Sequence, residues 1–248
     1  MTDGGALEAE SVVAACGGAA GAKLGGVSDG YELLKPLGHR RTELHPALVQ
    51  LVTAPDYPRA LKGVRADGAL RLTRGEATLA RGEGEIQFTD SGVSGPAAFD
   101  VSRAAATAGE GALLHMDFLR GYSPERVREL LEAKRAAYPA LGSAELFTGL
   151  LHNRLGRMLI KYGGLNAAAP LAALTGAELE AAAAACKDFT LPLRGTEGFD
   201  SAQVTAGGIK TSGFDPETLE SWFMPGLFVC GELLDIDVGR EGKRIGQK

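Results

Sequence analysis

A glycine–carboxylate pattern near the C-terminus of the chain could hold sugar hydroxyl groups. Residues 227–230 form an apolar run that predicts a buried strand, and Gly231 and Glu232 follow it directly. A carboxylate placed just beyond a buried strand is a common means of binding the hydroxyl groups of a dinucleotide cofactor. A polar and glycine-rich stretch over residues 202–208 precedes this strand in the chain. Together the two segments predict a cofactor enzyme.

A second glycine turn lies near the N-terminus. Residues 11–16 form a short apolar run, predicted to be a buried strand, and Gly17 and Gly18 follow Cys16. Glycine lets the backbone approach a ligand closely, so this turn is a candidate cofactor contact. The residues leave a simpler alternative open, which is a strand-ending turn without a ligand and, at Glu232, a solvated loop carboxylate.

Composition narrows the class of protein. The chain has 248 residues, of which 45% are hydrophobic and 23% charged, as in ordinary globular proteins. Its net charge of −5 argues against a general role in binding nucleic acid or membrane surfaces. The three cysteines and four histidines are dispersed, which predicts neither a disulfide framework nor a metal site. No signal-peptide core is present, so a cytoplasmic protein is the default expectation.

The elements that must position these residues change type along the chain. Short alternating segments between residues 48 and 117 predict an antiparallel sheet or barrel, with a hairpin turn over residues 66–69. Helices are expected to begin near Pro96, after Ser123, and at Thr175, where Glu178 supplies the spacing of a capping box. The helical pattern lies inside the strand pattern, which indicates one domain inserted into another.

The predicted fold class is therefore α+β and multi-part. A small antiparallel β-sheet or barrel domain carries an inserted helical subdomain, and short pieces of an α/β domain flank it. The expected parts are an N-terminal α/β piece (residues 1–50), a first β part (51–120) and a helical subdomain (121–188). Return strands of the β part (189–206) and a C-terminal α/β piece (207–248) follow.

Four segments in series resemble the BaiN-like (YhiN-like) NAD(P)/FAD-dependent oxidoreductases, which include aminoacetone-oxidase-like flavoproteins. They span nearly the whole chain in family order. They are the stretch from Val12 to Gly18 with its continuation to Val49, residues 88–97 (similar to the family's FTHxGxSGPA), residues 195–208, and residues 225–235.

The resemblance implies an FAD-binding site and, as electron donor, NAD(P)H. Cys16, Gly17 and Gly18 would pass close to FAD, and Cys16 stands where the family usually has threonine. Gly231 and Glu232 would lie at the flavin-side ribityl or ribose hydroxyls, with Asp235 as a second carboxylate. Thr205, Gly207 and Gly208 would lie against the flavin or the substrate entrance, or would form a turn between domains. The resemblance identifies no catalytic acid or base.

Two departures from the family shape the expectation for this chain. The GxGxxG turn that seats the FAD pyrophosphate after a strand is absent, and residues 237–243 stand where the family has a GGYN turn. We therefore expect a fragment: the substrate- and flavin-covering insert of an oxidoreductase flanked by two pieces of its FAD domain. Alone, it is expected to bind flavin weakly or not at all and to be inactive. The basic segment over residues 240–248 is expected to be disordered or an altered terminus.

Other functions remain as alternatives. The chain could be a non-catalytic module that binds a partner without flavin, with its flanking strands pairing with each other or with another chain. A serine hydrolase built on Ser94 is a distant third, because Pro96 occupies the place of the second glycine in G-x-S-x-G.

Overall fold

A computed structural model describes residues 8–236, so the predicted basic segment over residues 240–248 lies outside the described residues. The chain divides into two compact units. The barrel unit is one continuous stretch, Leu48–Glu197, and the split unit combines the chain before it with the chain after it. The five-part division expected from the sequence stays a prediction.

A closed six-stranded antiparallel barrel forms the centre of the barrel unit. Around the barrel the strands follow the order β3-β6-β5-β4-β7-β8. Their bounds are β3 Leu51–Thr53, β4 Arg65–Arg74, β5 Ala77–Phe88, β6 Gly92–Ser94, β7 Ala112–Asp117 and β8 Phe189–Thr196. Closure leaves no exposed sheet edge and confirms the predicted α+β class with a barrel.

The predicted hairpin turn over residues 66–69 is wrong. Strand β4 runs through it, and Gly68 lies opposite Gly84 in the ladder to β5. A side chain at Gly68 would place a Cβ 2.6 Å from the Asp117 carbonyl oxygen, so glycine is required there by close packing of strand β7. The actual turn is at Gly75, which has a φ of 57°.

Helices cover the barrel and form the inserted segment between β7 and β8. Their bounds are α2 Asp56–Ala60, α3 Pro96–Thr107, α4 Pro124–Ala137, α5 Asn153–Tyr162 and α6 Gly176–Lys187. Helix α3 packs against β5, and α6 contacts both α4 and α5. The sequence predictions at their starts are confirmed: Pro96 and Pro124 occupy first-turn positions, and Thr175 with Glu178 forms a capping box.

The split unit contains two small sheets. Strand β1 (Val12–Ala14) pairs in parallel with β10 (Leu227–Val229), and β2 (His45–Ala47) pairs antiparallel with β9 (Val204–Ala206). Between β1 and β2 lies helix α1 (Asp29–Leu34), followed by a 3-10 turn capped by Gly38. A separate apolar core holds this unit together; its members include Tyr31, Leu34, Ile209, Phe214, Val229 and Leu233.

Within residues 8–236, no helix is long and apolar enough to cross a membrane.

Candidate functional site

The parallel pair β1/β10 brings the two glycine turns of the sequence to one edge. Val13 lies opposite Phe228 in the ladder, and the amide of Cys230 donates to the carbonyl of Ala14 at 3.1 Å. Parallel strands end at the same side of a sheet, so the residues after both strands meet there. Residues 16–18 and 230–232, which are 214 positions apart in the sequence, therefore form one surface.

Gly17 and Gly231 leave open backbone at this edge. Their φ angles are 77° and 76°, values that favour glycine, and a Cβ on either would meet nothing within 4 Å. Cys16 beside them is exposed. Here the chain presents backbone and a thiol to any molecule that approaches this edge.

Gly18, Thr205 and Glu232 pack directly on one another. A Cβ on Gly18 would lie 2.6 Å from Thr205 Oγ1 and 2.9 Å from Glu232 Cδ, so only glycine fits. The Thr205 amide donates to Glu232 Oε1, and the Thr205 hydroxyl accepts from the Ala20 amide at 3.0 Å. The first bond holds the Glu232 carboxylate by one oxygen and the second holds Thr205, while Oε2 has no hydrogen-bond partner among residues 8–236.

Tyr31 binds the backbone of Glu232 and was not predicted from the sequence as a site residue. It is 2% exposed, and its hydroxyl donates to the Glu232 carbonyl at 3.3 Å. Burial, and secondly the charge of Glu232, raise the pKa of Tyr31, so the phenol stays a neutral donor. In the sequence, Tyr31 belongs to a predicted short helix and to the first of the four segments that carry the family resemblance, but neither assigns it a role at the site.

Gly207, Gly208 and Asp235 form a second, more enclosed group around Thr42. The Gly208 amide donates to Thr42 Oγ1 at 3.1 Å, and Thr42 Oγ1 donates to Asp235 Oδ2 at 3.0 Å. Both glycines are buried, and a Cβ at either would collide with backbone atoms of neighbouring segments. Packing within the unit is thus enough to require glycine at both positions. Thr42 was not predicted, and no motif in the sequence distinguishes it.

Among the residues that the structure describes, no group of three or more His, Cys, Asp or Glu is arranged to hold a metal ion.

Comparison with models of known protein families shows which family the chain belongs to. The model of a family described as "HI0933-like protein barrel and H2TH domain" matches residues 45–204, which include the whole barrel unit. The chain belongs to this HI0933-like family. That membership agrees with the closed barrel and the helices inserted between its last two strands.

Curated relatives of this HI0933-like chain include two kinds of enzyme. A 3-dehydro-bile acid delta(4,6)-reductase of Clostridium scindens is 35% identical over 238 residues, covering 95% of this chain and 58% of the relative. Ribosomal RNA dihydrouridine synthases of Escherichia coli and Haemophilus influenzae are 26% and 23% identical, each covering 92% of this chain and 55% of the relative. The chain spans a little over half the length of these relatives.

The family and the reductase relative support a flavin-dependent oxidoreductase-related domain, with FAD as the cofactor at the level of the family.

Proposed function

We propose that this chain forms part of a flavin-dependent reductase that transfers hydride between FAD and a small organic substrate. The barrel unit acts as the insert that covers the flavin and substrate, and the split unit supplies contacts to FAD. Bound FAD supplies the electron-transfer chemistry, while the protein supplies binding and orientation. NAD(P)H is the proposed electron donor.

The observation that carries the proposal is the fixed carboxylate of Glu232. One of its oxygens is held by the Thr205 amide, and the other is free to accept a hydrogen bond from a sugar hydroxyl. A carboxylate at the end of a parallel strand is suited to that role. Gly17 and Gly231 beside it leave room for a cofactor against the backbone. The residues at this edge therefore fit a ribityl or ribose group.

The remaining predicted residues take supporting roles in this proposal. Thr205 and Gly18 hold Glu232 in place, and Cys16 lies at the rim of the cofactor surface. Gly207 and Gly208 position the segment that carries Asp235, whose carboxylate is already held by Thr42. Asp235 is accordingly the weaker of the two sugar-binding candidates.

Two observations favour a small organic substrate over RNA. The bile acid reductase is the more similar of the two kinds of relative, at 35% identity against 26% and 23%. The net charge of −5 also disfavours a phosphate-rich polymer as substrate. The name of the reductase relative describes the reduction of carbon–carbon double bonds, and we extend that reaction class to this chain.

Labelling of Cys16 tests whether FAD binds at this edge. Cys16 is exposed, whereas Cys186 is buried and its pKa is raised by that burial to about 12, so Cys186 serves as an unreactive internal reference. We expect FAD to slow the reaction of Cys16 with a maleimide several-fold, as measured by mass spectrometry of the labelled peptides. Inorganic pyrophosphate at the same concentration is the control for charge and should leave the rate unchanged.

An unchanged Cys16 rate in the presence of saturating FAD would contradict the proposal. It would favour the alternative of a module that binds a protein partner without flavin. A specific feature favours that second candidate: Val12 and Val13 of β1 are 54% and 62% exposed, an apolar surface suited to association with itself or another chain.

A further inference from the structure

We propose that the outer face of the barrel carries a binding site for a small phosphorylated ligand. The site is a pocket of about 350 Å³ that lies entirely within the barrel unit. That volume is near the lower end of the range for small-molecule sites, roughly 300–1,000 Å³. The pocket involves none of the residues assigned to the flavin edge, so this proposal stands independently of the proposed function.

Three basic or titratable side chains form a row across neighbouring strands in this pocket. Arg71 of β4 lies opposite Arg81 of β5 on one side and opposite His115 of β7 on the other. Leu70 and Leu72 point into the core, so Arg71 between them points outward, as the alternation of a strand requires. Two arginines in direct cross-strand register repel each other and destabilise the sheet. An anion between them would remove that repulsion.

The carboxylates around the pocket already have cationic or imidazole partners. Asp117 receives Lys187 Nζ at 2.5 Å, and Glu83 receives Arg120 Nη1 at 2.8 Å. Asp188 accepts from His115 Nδ1 at 2.8 Å. Asp117 and Glu83 are therefore poor competitors for the two arginines, whereas Asp188 competes for Arg71 through a 3.4 Å contact.

Arg81 lines the pocket without a carboxylate partner among the described residues. Its guanidinium makes no ion pair or hydrogen bond within the described part of the chain, and Arg81 is exposed. Arg71 is held only by a long contact, 3.4 Å from its Nη2 to Asp188 Oδ1, in a half-exposed setting where ion pairs contribute little. Both guanidiniums are thus available to a ligand, and their planar donors match phosphate oxygens.

His115 completes the row with a fixed orientation. Its Nδ1 faces the Asp188 carboxylate and therefore carries the proton in the neutral ring, while Nε2 accepts from the Thr73 hydroxyl at 3.0 Å. The imidazole is held in place from both sides. It forms a rigid wall of the pocket beside Arg71 and takes no chemical step in this proposal.

Calorimetric titration of the full chain with inorganic pyrophosphate tests the site. We expect saturable binding that weakens about tenfold or more in Arg81→Gln, because a charge-assisted bond to the ligand is lost. Arg59→Gln is the matched control: Arg59 is an exposed arginine of α2 with the same charge change, and its replacement should leave binding unaltered.

Further arms identify the source of the phosphate. ADP should bind and adenosine should not, and tighter binding of ADP than of pyrophosphate would assign the pocket to a nucleotide rather than to free phosphate. No binding of pyrophosphate or ADP by the wild-type chain would overturn the proposal, as would equal losses in Arg81→Gln and Arg59→Gln.

Discussion

Glycines at the candidate site are required for two different reasons, either a positive φ angle beside open space or close packing by other segments of the unit. Gly17 and Gly231 have positive φ angles and open space beside them, as expected where a ligand approaches the backbone. Gly18 and Gly208 are instead required by atoms of the same unit. All four look alike in the sequence, because a one-dimensional pattern does not record which segment lies over a glycine.

His39 is a buried histidine of the split unit. It is 3% exposed, stacks on Phe214 at 4.4 Å and contacts Ser221 Oγ through Nε2 at 2.9 Å. Its Nδ1 has no hydrogen-bond partner among residues 8–236. Burial lowers the pKa of His39 below its usual value of 6.5, so the folded unit favours the neutral imidazole.

This shift predicts an acid-sensitive split unit. The unfolded chain takes up the proton first, so stability is fully present above pH 6.5 and falls as the pH drops towards the lowered pKa, with a slope of up to about 1.4 kcal/mol per pH unit. We expect His39→Gln to reduce that slope and His45→Gln, which changes a less buried histidine, to preserve it. Urea unfolding followed by the single tryptophan, Trp222 of the same unit, measures both. Equal slopes in wild type and His39→Gln would refute the assignment.

At the scale of elements, helix starts could be predicted because their determinants are local. Thr175 Oγ1 accepts from the Glu178 amide at 3.2 Å, and Glu178 Oε2 accepts from the Thr175 amide at 2.8 Å. Both bonds join residues three positions apart, so the sequence alone contains the whole motif. The prediction of a hairpin over residues 66–69 was wrong because Gly68 is required by close packing against the backbone of Asp117. Asp117 is 49 positions away, so the local sequence does not record this contact.

The capping box gives an element-scale prediction. Thr175→Ala removes the side-chain acceptor at the start of α6 and should lower the free energy of unfolding by about 1 kcal/mol. Glu180→Gln, on the exposed face of the same helix, breaks only a long surface pair with Arg128 and should change stability by less than about 0.5 kcal/mol. Urea denaturation curves of the two variants compare these effects. A Thr175→Ala curve that superimposes on wild type would show that the cap contributes nothing.

At the scale of the whole molecule, the two units differ in how far the sequence predicts them. The barrel unit is one continuous stretch, and its alternating strands predicted a sheet or barrel, although not the closure or the strand order. The split unit joins segments 150 residues or more apart, such as residues 45–47 with 204–206. Periodicity does not reveal such pairings, so Tyr31 and Thr42 were not predicted as site residues. Gly231 with Glu232, and Gly17 with Gly18, were predicted because each pair follows an apolar run directly.

Glu232 is the carboxylate that we propose to bind a sugar hydroxyl of FAD. Its most direct test is a flavin-fluorescence titration of the full chain with FAD, comparing wild type with Glu232→Gln. The amide keeps an acceptor for the Thr205 amide, so the fold is retained while the charged acceptor is lost. Glu217→Gln, an exposed change of equal charge in the same unit, is the control. We predict weak, saturable binding that falls about tenfold in Glu232→Gln and is unchanged in Glu217→Gln. Absence of binding, or a Glu232→Gln curve identical to wild type, would contradict the account.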